Sequence, residues 1–251
     1  MQFFKRILNF DEATVARQEQ RLAQRFPLTP ESPLIPWLIT AESRISSRLL
    51  DLSSADAGLV IPADAHSPSV GERCRIELEI EDEPLNLSAR VARTYPHPDG
   101  IGVGLDLTEN DYPSRRNLVQ LLEPIEMGTS LKSIDRKSVS QTEPGLLSIR
   151  YFSSTSTTLT VWRNIENHEI SGFEMRMHQF HVRSGSEPPE LKLFIDEVSG
   201  GSGYSHPTLR PSGEAGTDIL RLFNWVVPHL NPELPSGVRA YLQLFSTLTR
   251  K

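Results

Sequence analysis

Two arginines stand four residues apart in RLAQR, at positions 21 and 25. On one helical turn, or across a tight transition into extended chain, guanidinium groups at that spacing converge on one anion. Each can bind a phosphate or the edge of a guanine through parallel hydrogen bonds. The same pair serves equally well as exposed decoration of a polar helix. A second cluster, DLSSADAG at 51–58, interrupts an apolar run. Here Asp51 can accept from the N1 and exocyclic amino donors of guanine, and Ser53 can bind a backbone or phosphate group. Asp and Ser at a strand end also make a common local turn. A further pair at the same spacing, Arg44 and Arg48, runs directly into Asp51, and either arginine is placed to line the same polyanion site.

The remaining reactive residue types do not assemble into a catalytic pattern. His178 and His181 are three apart in a strand-like segment, where they face opposite sides, which argues against a shared metal. The sequence contains no HExxH, CxxC, phosphate-loop or GxSxG pattern. The serines of SSTSTT solvate a turn without an identifiable base. The lone cysteine, Cys74, cannot form an internal disulfide and reads as a packing residue within RCRIELEI. A formal net charge of -6 gives no general attraction to nucleic acid, although a local arginine cluster can still hold a small anion. No run approaches the roughly 18 apolar residues that span a bilayer, and MQFFKRILNF lacks the apolar region of a secretory signal. These features together predict a cytoplasmic binding module rather than an enzyme or a membrane protein.

Several elements must position the arginine and aspartate clusters. Phe3, Phe4, Ile7, Leu8 and Phe10 share one helical stripe and form a docking element for the chain itself or a protein partner. Asp11 caps a helix over EATVARQEQRLAQRF that stops at Pro27, and Pro30, Pro33 and Pro36 make an extended connector. From residue 44, SRISSRLLDL, AGLVIP, RCRIELEI, LNLSARVART and GIGVGLDL are short alternating runs at the spacing of an antiparallel barrel. YPSRRNLVQLLEPI is a helix closing it, with Asn110 and Asp111 as candidate caps. Residues 127–144 read as a linker. Beyond them LLSIRYF, TTLTVWR, ISGFEMRMHQFHV and ELKLFIDEV predict four strands, followed by two helices, so 145–251 forms an α+β output or partner-binding domain. Acidic residues such as Glu81 and Asp82 read as surface turn residues.

The order of these pieces resembles the PilZ domain, the bacterial receptor module for cyclic di-GMP. The resemblance runs through RLAQRFPL at 21–28, DLSSADAGLVIP at 51–62, SVGERCRIELEI at 69–80, LSARVART at 87–94 and GIGVGLDL at 100–107. The family's pattern is RxxxR followed, after a linker and strand, by [D/N]xSxxG. The resemblance implies a mainly β fold with α elements: a small antiparallel β barrel with flanking helices in residues 1–126. It also implies cyclic di-GMP as ligand, with Arg21 and Arg25 on phosphates and guanine faces and Asp51 and Ser53 on guanine and nearby ligand atoms. The chain departs from the pattern at Asp56, where the family has glycine, and Gly58 comes two residues later. Asp56 adds a Cβ and a negative charge that repels phosphate, although Asp enters left-handed backbone more readily than most residues. Two functions follow: a signal-transducing effector that couples dinucleotide binding to domain arrangement or partner binding, and a degenerate adaptor that recruits a protein without the nucleotide.

Overall fold

The computed structural model describes residues 7, 8, 10–30, 32–80, 83–133, 139–143, 145–184, 190–197 and 208–249. Of the N-terminal stripe, Phe3 and Phe4 lie outside them, as do Glu81 and Asp82, while Ile7, Leu8 and Phe10 lie within. The chain divides into two compact units, Met1–Glu123 and Pro124–Lys251.

In the first unit, helix α1 spans Glu12–Arg21. Asp11 caps it by accepting from the Thr14 amide at 2.7 Å. The helix stops earlier than its polar run suggests. Leu22 and Phe26 must both enter the core, where they are buried, and the chain turns to bring Phe26 into β1 (Phe26–Pro27). Seven further strands follow: β2 (Ile35–Ile39), β3 (Arg44–Ser46), β4 (Arg48–Leu52), β5 (Asp56–Ile61), β6 (Arg73–Ile80), β7 (Glu83–His97) and β8 (Gly100–Asp106). They form one antiparallel sheet in the order β1-β4-β5-β8-β7-β6-β2-β3. Alternation does what the pleat requires: Ile76, Leu78 and Ile80 are buried together with Leu85, Leu87 and Val91 on the neighbouring strand.

The expected antiparallel barrel is incompletely closed: among the described residues no ladder joins β3 to β1. Ser47 alone links β3 to β4, and a connection of about 7 Å forces the two ends of the sheet toward each other. Ser47 fastens that corner by donating through its amide and hydroxyl to the Pro36 carbonyl, at 3.2 and 3.0 Å. Between the two candidate caps, Asp111 takes the role, accepting from the Ser114 amide at 2.9 Å, while Asn110 ties the loop to Ser88 on β7. Helix α2 (Tyr112–Thr129) then contributes buried Leu118, Val119, Leu121 and Leu122 to the first unit.

The stretch 127–144, expected as a linker, carries regular structure. Met127–Thr129 completes α2, while β9 (Lys132–Ser133) and β10 (Val139–Glu143) both pair with β11 (Leu146–Phe152). Strands at a sheet margin can be held by backbone ladders and need no apolar alternation, so the composition of these two gives little sign of them. The second sheet continues through β12 (Thr158–Asn164), β13 (Ile170–Met177), β14 (Phe180–Ser184), β15 (Leu191–Glu197) and β16 (Thr208–Pro211). ISGFEMRMHQFHV, predicted as one strand with two mixed faces, is the hairpin β13–β14. His178 and Gln179 make its two-residue turn, and His178 takes a φ of 54°. The reversal explains the mixed pattern.

Helices α3 (Gly216–Val226) and α4 (Ser236–Thr249) cover one face of this sheet. Phe173 stacks on Phe223 at 5.8 Å and meets Phe245 edge-on at 5.3 Å. The opposite face carries an alternating charge ladder. Arg183 and His181 flank Glu174, and His181 and Arg176 flank Asp196. The His181 ring lies between the two carboxylates, with Nδ1 3.0 Å from Glu174 Oε1 and Nε2 2.8 Å from Asp196 Oδ1. His181 and Arg183 hold the Glu174 carboxyl below its ordinary pKa against the opposing effect of burial.

Candidate functional site

The site is assembled where the end of α1 meets the β4–β5 turn. Ser54, in that turn, donates its amide to the Leu22 carbonyl at 2.9 Å and its hydroxyl to the Glu19 carbonyl at 2.8 Å. Carbonyls at a helix C-terminus lack intrahelical partners, and these two bonds use them to fasten the arginine segment to the DLSS segment. Ladder pairing reinforces the join, with Phe26 opposite Leu52 and Pro27 opposite Asp51.

Arg21 and Arg25 do not share a helical face, because the helix ends at Arg21. Arg21 reaches across to α2 and pairs with the buried Glu123 carboxylate. Arg25 turns toward the sheet. Its Nε lies 2.9 Å from Asp56 Oδ1, and its Nη1 lies 3.5 Å from Asp51 Oδ1. The hydrogen bond to Asp56 raises the Arg25 pKa above its ordinary value; partial burial opposes this, and the charges of Asp56, Asp51 and Tyr95 add to it. Arg25, Asp51 and Asp56 therefore converge.

Ser53 is fully buried, and its hydroxyl is engaged within the turn. It donates to Asp56 Oδ1 at 3.0 Å and accepts from the amides of Ala55 and Asp56, at 3.2 and 3.0 Å. Asp56 is the first residue of β5 and pairs with Asp106. Among the described residues the only non-glycine positions with positive φ are His168 and His178, so Asp56 needs no left-handed backbone. The consequence of having Asp here is electrostatic: its carboxylate occupies the Arg25 guanidinium.

The arginines of the second pair are held by other carboxylates. Arg44, on the terminal strand β3, sits 3.9 Å over the Trp37 ring and bonds to Glu77 and Glu79, each at 2.7 Å. Arg48 opens β4 and pairs with Asp99, in the β7–β8 turn, at 2.6 Å.

Several residues of the site are not apparent from either motif. Gly58 faces Asp51 across the β4–β5 ladder, Gly104 pairs with both Gly58 and Arg93, and Gly102 pairs with Tyr95. A Cβ on Gly58 would stand 2.9 Å from Asp51 Oδ2, one on Gly104 would stand 2.9 Å from Arg93 Cγ, and one on Gly102 would stand 2.3 Å from the Tyr95 ring. These side chains thus lie directly on the glycine backbones. Arg93 Cζ is 5.6 Å from the Tyr95 ring centroid. The signal available in the sequence is the i, i+2 spacing of Gly102 and Gly104, which puts both on one face of β8. Ser54 and Glu123 carry no comparable local signal. Burial pushes the Cys74 thiol up to about 11, so it remains protonated at neutral pH and is a poor nucleophile.

The PilZ domain family model matches residues 16–123. No curated protein matches the chain significantly. Among solved structures, the chain is similar to the "PilZ domain with c-di-GMP of YcgR from Escherichia coli", at 16% identity and a TM-score of 0.33, covering 39% of this chain and 85% of that one. It is also similar to the Borreliella burgdorferi PlzA protein in complex with c-di-GMP, at 9% identity and a TM-score of 0.35, covering 74% of this chain and 86% of that one. The helix end, the β-sheet and the two short motifs that meet on it make the N-terminal half of this chain, residues 16–123, a member of the PilZ domain family.

Proposed function

We propose that this protein is a bacterial, cytoplasmic cyclic di-GMP receptor that uses its PilZ half to sense the dinucleotide and its second unit to act on a partner. The observation that carries the reading is the convergence of Arg25 with Asp51 on the sheet, a cation and a guanine-edge acceptor 3.5 Å apart. A phosphate of the ligand takes the Arg25 guanidinium in place of Asp56, and Arg21 exchanges Glu123 for a second ligand oxygen. Asp51 accepts from the guanine, and Ser53 keeps the turn in shape. Arg44 and Arg48 lie outside this set of contacts. The function is binding and relay, not catalysis. Loss of the Arg21–Glu123 pair perturbs α2, whose residues extend into the second unit, and this is the route by which occupancy changes domain arrangement or partner binding.

A second reading is favoured by the same ion pairs. Because Asp56 and Glu123 already satisfy the two motif arginines, the fold is complete without a nucleotide and can act as a protein-binding adaptor. Calorimetry of the full chain with cyclic di-GMP separates the two. Saturable binding in the wild type that is lost in both Arg25→Ala and Asp51→Ala supports the receptor. No binding up to millimolar ligand leaves the adaptor. Solution scattering unchanged at saturating ligand would count against a large rearrangement.

A further inference from the structure

We infer that Arg93 and Tyr95 form a platform on which a purine ring of the nucleotide stacks, so that strand β7 supplies a third wall of the site. The inference rests on the receptor reading and extends it to residues that neither family motif contains.

Glycine inside a strand weakens it, yet Gly58, Gly102 and Gly104 occupy neighbouring positions on β5 and β8 and share one face. Their lack of Cβ atoms lets three side chains drop onto the backbone: Asp51, Arg93 and Tyr95. The result is a low strip running from the acidic edge of the guanine site to an aromatic ring. Tyr95 is half-buried, with its ring laid on Gly102, while Arg93 is exposed with its stem over Gly104 and its guanidinium over the ring.

Arg93 differs electrostatically from the other arginines considered for this site. Arg21, Arg25, Arg44 and Arg48 all hold carboxylates. Among the described residues no carboxylate pairs with Arg93, whose guanidinium lies 5.6 Å from the Tyr95 ring centroid. A planar guanidinium beside a phenol ring suits a flat, electron-rich heterocycle with acceptors on its edge, such as the N7 and O6 of guanine. The ladder runs from Asp51 through Gly58 and Gly104 to Arg93, and Arg25 lies 3.5 Å from Asp51, so the strip begins at the phosphate-binding arginine. A phosphate at Arg25 and a base on Tyr95 are thus served by one continuous surface.

The test titrates cyclic di-GMP into the full-length wild type and the variants Arg93→Ala, Tyr95→Leu and Tyr95→Phe. Base–aromatic stacking predicts at least about tenfold weaker binding for Tyr95→Leu and Arg93→Ala, and rescue to within about threefold by Tyr95→Phe. Near-ultraviolet circular dichroism at saturation should show a perturbed guanine band with the wild type and Tyr95→Phe, and not with Tyr95→Leu. Arg93 is exposed, so Arg93→Ala keeps the test valid if Tyr95→Leu fails to fold. Wild-type affinity in both Arg93→Ala and Tyr95→Leu would overturn the platform and leave the receptor reading standing. No binding by the wild type would overturn both.

Discussion

Replacing Asp56 with asparagine removes a charge from Arg25 while keeping an oxygen that can accept from Ser53. In the free protein the Arg25–Asp56 pair closes at 2.9 Å, but the side chains are 41% and 31% exposed. An ion pair that open to water contributes about 0.2–1 kcal/mol, which an incoming phosphate must replace. Once a phosphate sits on Arg25, the displaced carboxylate lies roughly 5–6 Å from it, and the repulsion at an effective dielectric of about 40–80 is about 0.8–1.5 kcal/mol. Together the two effects predict that Asp56→Asn strengthens cyclic di-GMP binding by about 1–2.5 kcal/mol, or roughly 5- to 70-fold. Calorimetry at fixed low salt measures the gain. Repeating it at about 0.5 M salt should shrink the gain, because the interaction is between partly exposed charges. A wild type that binds while Asp56→Asn binds equally well or more weakly would refute the argument that Asp56 competes with the ligand.

Arg44→Ala should leave nucleotide affinity within about twofold of wild type, since that guanidinium is held by Trp37 on β2 and by Glu77 and Glu79 on β6; a larger loss in the same titration would return Arg44 to the site. Ser54→Ala removes the hydroxyl bond to Glu19 and should cost about 0.5–1.5 kcal/mol in urea unfolding of the first unit, with affinity falling as the arginine segment loosens. Glu174→Gln should destabilise the second unit. Because the folded pKa of Glu174 is depressed, its contribution is fully present above an unfolded value of about 4.3 and disappears as pH falls through the lower folded value. The unfolding midpoints of wild type and variant should therefore differ at neutral pH and converge in acid; a difference that persists unchanged at low pH would count against that linkage.

The strands were legible where burial is one-sided. RCRIELEI and LNLSARV alternate because one face of each must fill the core, and they pair as alternation predicts. β9 and β10 were not legible, because ladder pairing along β11 imposes no apolar period. The β13–β14 reversal was hidden as well: His-Gln lacks the Gly or Asn that marks most two-residue hairpins. The two motifs named Arg25 and Asp51, whose proximity is tertiary but whose spacing is local within each motif. What spacing does not reveal is which partner each arginine takes. Arg21 goes to Glu123, a contact across 102 sequence positions, and Arg44 goes to acids on β6. The departure at Asp56 was visible, with a backbone effect and a charge effect both expected of it; Asp56 needs no left-handed backbone, and its charge is spent on Arg25.

The two acids around Arg25 also bear on which solutes are admitted. Any anion that reaches this guanidinium must outcompete carboxylates that are tethered in place and never diluted, a contest governed by effective concentration. Inorganic phosphate, with one point of attachment, enters it at a disadvantage. On the receptor reading proposed above, a dinucleotide meets the arginine, the Asp51 edge and the aromatic strip at once, and prevails through several contacts. Asp56 in this view sets a threshold: it weakens every anion at Arg25, and only a ligand with further points of attachment overcomes it.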